Sequence, residues 1–398
     1  MDKAPYPDSF QVLPQLEAIQ KASKDLQSYP VFVTNIPVNF IKALLELANE
    51  ADNILSTDIH LFKLSQSLGN LKALLEKLEK SQSYGLKSIL SRQVTNYKIS
   101  QLAHAIEAEI RAYIDRKSIR NLVMKLEESE NEDEKVKFLI EFEKRVLQGF
   151  DRDFQDLVLK AKVFSILENI LSDSTCSKRV RDQAALVIVS LVEFNRDVFV
   201  GLVLMGPTIQ ALISMASCCS IQVLKSLIKL IKSHLIDELL SIKEIPRIVS
   251  LLSTEDLEIK VAAIDCICEI AYFGRREVIE AMFNEGLIKK LVEFQRSKDG
   301  DNLTDLNQNM EDHNGTTNTE EGANMDTKME DKDERIVGIC PFASCVARFA
   351  VQIEVGEGMS QKEKKEIKLE ILEKVREASV SEAEAATIVA EVLWGSSP

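Results

Sequence analysis

Three stretches decide the fold: "AALVIVSL" (Ala184–Leu191), "LKSLIKLI" (Leu224–Ile231) and "AIDCICEI" (Ala263–Ile270), whose starts lie 40 and 39 residues apart. They loosely share the pattern A-x-x-A-L-x-N-L, with apolar residues three and four apart, the spacing that gives a helix one buried stripe. A second ladder runs beside them: VFSILENIL from Val163, TIQALISMA from Thr208, IPRIVSLLS from Ile245 and LIKKLVEF from Leu287. Its matching residues Ile166, Leu212, Ile248 and Leu291 are separated by 46, 36 and 43 positions. Two ladders with one drifting period mean stacked units, none of which can bury its apolar face alone.

The rest of the chain agrees with a helical reading. Of its 398 residues 45% are hydrophobic and only 6% aromatic, and no segment alternates apolar and polar residues long enough to make a sheet. The fold class expected is all-α: an N-terminal helical bundle followed by a short solenoid. A period of about 42 with three helices per unit is the register of armadillo-type repeats. Local punctuation fits it, with Gly286 between two helical runs and Pro246 at a helix's first turn, where its missing N–H costs nothing.

Four segments follow. Residues 1–130 read as a four-helix bundle, with helices at Gln11–Ser28, from near Val38 (FIKALLELANEADNIL), after Asp58, and from about Gly85 to Lys125. Residues 131–297 read as armadillo repeats. Residues 298–335 carry twelve acidic and four basic side chains and almost no large apolar ones, so they are expected to form a disordered acidic insertion. Residues 336–398 resume the ladder as a terminal repeat and cap, through PFASCVARFAVQIEV, KEKKEIKLEILEKV and SEAEAATIVAEVLW. The single tryptophan, Trp394, falls on the last of these helices before Gly395. A solenoid end needs its apolar core closed, so Trp394 is expected as the lid there, with a partner-binding anchor as the other reading.

Composition narrows the function classes. The formal net charge is −14, more than half of it in the insertion, which argues against nucleic acid as a partner. The seven cysteines form no metal-ligand spacing, and no cofactor is expected. The start MDKAPYPDSF does not read as a signal peptide, and no run is long and apolar enough to span a membrane. The expected location is cytoplasmic, with the nucleus left open. No phosphate-binding glycine loop, nucleophile elbow or HExxH pair occurs, and the four histidines (His60, His104, His234, His313) are scattered, so no enzyme is expected.

Groove helices of such arrays bind extended ligands. In importin alpha that helix carries Trp and Asn four residues apart. Here the Trp positions hold Leu186, Ser226 and Asp265, and the Asn positions Ser190, Leu230 and Glu269, so nuclear-import chemistry is not expected. A basic stripe stands instead: Lys225, Lys229 and Lys232 at i, i+4 and i+7, with Arg179 and Arg181 on the preceding groove helix and Lys260 on the following one. It fits an acidic peptide or an anionic lipid headgroup, or is a solvated face. The acidic insertion folding back over it is a further expectation, resting on opposite charge alone.

Pro341–Pro398, which runs PFASCVARFAVQIEVGEG and ends in WGSSP, resembles the C-terminal repeat of the plant Armadillo Repeat Only family, through the loop Gly356–Gly358 to the end of the chain. The N-terminal region resembles more weakly the helical domain that precedes armadillo repeats in that family and in plant U-box ubiquitin ligases. The resemblance implies a non-enzymatic adaptor in polarised growth, associated with Rho-type GTPases or their regulators and with the plasma membrane through anionic lipids. A U-box would place a Cys-Pro-Ile core between bundle and repeats, but residues 126–150 hold no cysteine. The alternative implied is therefore an adaptor or competitor in plant ubiquitin ligation without the ligase module.

Overall fold

The computed structural model describes residues 62–80, 86–296 and 344–394, with isolated helical positions at 16, 18–25 and 46. The expected second bundle helix (apart from position 46), the acidic insertion and Gly395 lie outside the described residues. Among those described there is no strand. The chain divides into two compact units, Met1–Glu128 with Asp151–Val163, and Ser129–Phe150 with Phe164–Pro398.

In the first unit α1 (Phe62–Lys80) packs along the 43-residue α2 (Leu86–Glu128). Leu64, Leu68, Leu71 and Leu75 meet Ile99, Ala103, Ile106 and Ile110, and Leu16, Ile19 and Ala22 complete the core. Each long helix thus spaces its buried residues at i, i+4, i+7 and i+11, a seam of the kind two-helix packing requires. The short helix α4 (Arg152–Lys160) also packs on α2, although sequence spacing groups it with the repeats. Asp151 caps it by accepting a bond from the Phe154 N–H.

The second unit is a stack of helices in sequence order: α3 (Glu132–Val146), α5 (Val163–Ser172), α6 (Lys178–Phe194), α7 (Arg196–Met205), α8 (Thr208–Met215), α9 (Cys218–Ile231), α10 (Ser233–Ser241), α11 (Ile245–Ser250), α12 (Leu257–Phe273), α13 (Arg276–Asn284), α14 (Leu287–Arg296), α15 (Cys345–Val355), α16 (Gln361–Ala378) and α17 (Glu382–Trp394). Every third helix from α3 to α15, and then α17, joins one continuous row, α3–α6–α9–α12–α15–α17, each member packing on the next. The three quoted stretches are the centres of α6, α9 and α12. The residues between α14 and α15 fall inside one three-helix unit, yet α15 takes the next place in the row.

Sequence-local chemistry sets the boundaries. Asn131 and Asp256 cap α3 and α12 by accepting backbone N–H bonds, while Ser217–Ser220 and Ser360–Glu363 close capping boxes on α9 and α16. Pro246 occupies the first turn of α11, and Gly286, at φ 70°, turns the chain from α13 into α14. Packing then dominates: α9 buries Ile221, Val223, Leu224, Leu227, Ile228 and Ile231, each contributing about 1.5–3 kcal/mol.

One loop lies unusually close to its neighbour. Glu357 donates its N–H to the Tyr272 carbonyl at 2.7 Å. A Cβ at Gly356 would stand 2.2 Å from that carbonyl, and one at Gly358 would stand 2.1 Å from the Gly274 carbonyl. Glycine is required at both positions because backbone meets backbone there.

Candidate functional site

The row presents its outward face as a set of rungs between successive helices, and the expected basic stripe lies on it. Lys225 of α9 pairs with Asp265 of α12 at 2.8 Å, and Lys229 with Glu269 at 3.2 Å. Asp265 also accepts from Arg348 of α15 at 3.1 Å. Lys232 is not on the helix with the other two. It ends α9 with φ 64°, and its ammonium lies 3.5 Å from Glu357 and 5.6 Å from the centre of the Phe273 ring.

The outlying candidates are occupied as well. Arg179 pairs with Asp133 of α3, and Arg181 donates to the Leu171 carbonyl at 3.2 Å. The Lys260 ammonium lies 5.5 Å from the centre of the Phe294 ring. The six side chains therefore do not form one free cationic strip; each faces a carboxylate, a carbonyl or an aromatic ring. The insertion whose fold-back over this face is expected lies outside the described residues.

Sequence reading missed the other half of the rungs. Asp265 and Glu269 stand where a nuclear-import groove would hold Trp and Asn, and they are intrachain acceptors here. On the preceding rungs Gln183 donates to Glu143 at 2.6 Å and Ser217 to Asp182 at 2.8 Å. The signal was present: Lys225 to Asp265 and Lys229 to Glu269 are each 40 positions, one repeat period. Where α9, α12 and α15 meet, Lys225, Asp265, Cys268, Glu269, Arg348, Val351 and Gln352 line a depression of about 320 Å³. Burial pushes the Cys268 thiol up to about 12, so it lines the depression as a small neutral group and not as a nucleophile.

Trp394 corrects the second expectation. It is 83% exposed and closes nothing. The inner face of α17 is sealed by Ile388 and Val392, and the indole stands beyond them on the far side. Among the described residues no group of three His, Cys, Asp or Glu could hold a metal ion. No single described helix is long and apolar enough to cross a membrane; only the pair α7 and α8 passes by composition, and it is bent by 69°.

Stacked three-helix units with one continuous row define an armadillo-type α-solenoid. No protein-family model matches the chain, and no curated protein matches it. Among solved structures it is similar to a designed armadillo repeat protein at 17% identity, over 69% of this chain and 99% of that one, with a TM-score of 0.41. A second designed armadillo repeat protein, in complex with the peptide (KR)4, matches at 18% identity over 69% and 98% with the same score of 0.41. An engineered protein matches 97% of this chain and 96% of its own at 14% identity and a TM-score of 0.38. These superpositions are too loose to add to the fold, which rests on its own helix contacts.

Proposed function

We propose that this protein is a non-enzymatic scaffold that binds an extended segment of a partner protein along the row α6–α9–α12–α15. The observation that carries this reading is the unbroken row itself, with a polar face whose lysines on α9 pair with carboxylates on α12. Such a face recognises a chain by hydrogen bonds and shape. A net basic surface would instead select any polyanion. The partner class we propose is a Rho-type GTPase or its regulator, acting in the cytoplasm at the plasma membrane; the resemblance of Pro341–Pro398 supports that choice. Anionic lipid is the weaker arm, because the lysines that would bind it are already paired.

Affinity capture from a cell extract, with identification of the retained proteins, tests the reading. Wild type is compared with Ser226→Arg/Gln352→Arg, which crowds the face without breaking a rung. The expected result is a GTPase or GTPase regulator retained by wild type and lost by the variant. An identical set on both proteins would overturn the row as the binding face. Retention of ubiquitin-conjugating enzymes would favour the ligation adaptor instead.

A further inference from the structure

Residues 297–343 separate α14 from α15 in sequence, yet α15 packs on both α12 and α14, and α16 packs on α14. The two side chains that end α14 reach all three helices beyond that interval. Gln295 accepts the Val346 N–H at the start of α15 at 3.2 Å and donates to Glu391 of α17 at 3.0 Å. Arg296 lays its guanidinium on both carboxylate oxygens of Glu384 of α17, at 2.8 and 3.0 Å. It also donates to the carbonyl of Ala378, the last residue of α16, at 3.3 Å. These bonds act as helix caps supplied from outside. Ser344, which precedes α15, makes no side-chain cap bond of its own, so an orphan N–H of that helix start is satisfied by α14.

Apolar and backbone contacts fix the same joint. Val346, Ala347 and Phe349 are buried on α15, and the Phe349 ring meets Phe283 of α13 with 6.4 Å between centres. The Glu357 N–H on the Tyr272 carbonyl ties the end of α15 to the end of α12. An apolar centre with a polar rim is the anatomy of an interface between two proteins, here formed within one chain. We propose that the α12–α14 edge, with Gln295 and Arg296 at its tip, is a recognition surface for a terminal three-helix unit. Its occupant is residues 344–394 of this chain, held by these contacts and not by the covalent connection. The Arg296–Glu384 pair counts for more than an ordinary surface pair, because it is bidentate and the Glu384 side chain is only 19% accessible. The end of the row is then a docked piece. Arg348, Val351 and Gln352 line the depression between α9, α12 and α15 only while that piece is seated. This holds whether or not a partner lies along the row.

The test severs the connection in the full-length protein. A sequence-specific protease site with its own linker is inserted after Gly315, and the protein is cut under native conditions, with a denaturing gel showing two pieces. Sedimentation at about 1 µM is expected to give a mass still near 44.7 kDa, and dilution then gives the dissociation constant. Gln295→Ala/Arg296→Ala should weaken the cut complex by at least about ten-fold. Glu384→Ala/Glu391→Ala, which removes the partners from the other side, should do the same. Both uncut variants keep the wild-type circular dichroism. Separation of the two wild-type pieces at about 1 µM overturns the proposal. Cut complexes equally tight in wild type and both variants overturn it as well, because the tip of α14 then recognises nothing.

Discussion

Glycine positions separate most sharply at the scale of single residues. Gly358 meets the Gly274 carbonyl where a Cβ would sit, whereas Gly201, inside α7, has nothing within 4 Å. Gly358→Ala should lower stability by about 1–3 kcal/mol, the usual cost of forcing atoms into a packed contact. Gly201→Ala should raise it by about 0.5–1 kcal/mol through helix propensity. Urea melts of the two variants give the signs directly; matching signs would show that the 355–358 loop does not touch α12. The cysteines make a pH prediction. Burial pushes Cys268 and Cys345 up to about 12 and Cys266 higher still. Their native pKa values lie above the unfolded ones, so their contribution is fully present below the ordinary thiol value. It is lost as pH rises from about 9 through 12. A denaturation midpoint flat from pH 7 to 8.5 and falling above 9 is expected, with all three thiols unlabelled in the native protein at pH 8.

The lesson of α9, α12 and α15 at the scale of elements is that packing and surface charge have different jobs. Leu227, fully buried on α9, should cost about 2–5 kcal/mol when replaced by Ala. The Lys225–Asp265 rung is partly exposed, with side chains 27% and 32% accessible, and is worth at most about 1 kcal/mol. Lys225→Met should therefore be nearly neutral in a thermal melt. Lys225→Glu, which sets a carboxylate against Asp265, should be clearly destabilising and should recover in high salt. These elements also show what was legible beforehand. Helix centres, the period, Pro246 and Gly286 follow from local spacing, because a helix is stabilised by residues three and four apart. The rungs join residues one full period apart, so a reading helix by helix sees three lysines and not the acids that face them. Trp394 was misread for a related reason: the pattern places it on a terminal helix, but only the packing of Ile388 and Val392 shows which side is already closed.

For the whole molecule, a face whose lysines are paired with carboxylates implies little attraction to bare negative charge. Binding to anionic vesicles should change less than about two-fold in Lys225→Ala/Lys229→Ala, since both lysines are already engaged. A loss of ten-fold or more would restore the basic stripe as a ligand site. The central claim is that the row α6–α9–α12–α15 is where a partner chain lies. The most direct measurement is the affinity of the captured partner for three purified full-length proteins: wild type, Ser226→Arg on the row, and Met205→Arg on α7, which is not a member of the row and where Met205 is 91% exposed. The account predicts at least about a ten-fold weakening, or 1.4 kcal/mol, for Ser226→Arg and no change for Met205→Arg. Unchanged affinity for Ser226→Arg, with or without a loss at Met205→Arg, would contradict it.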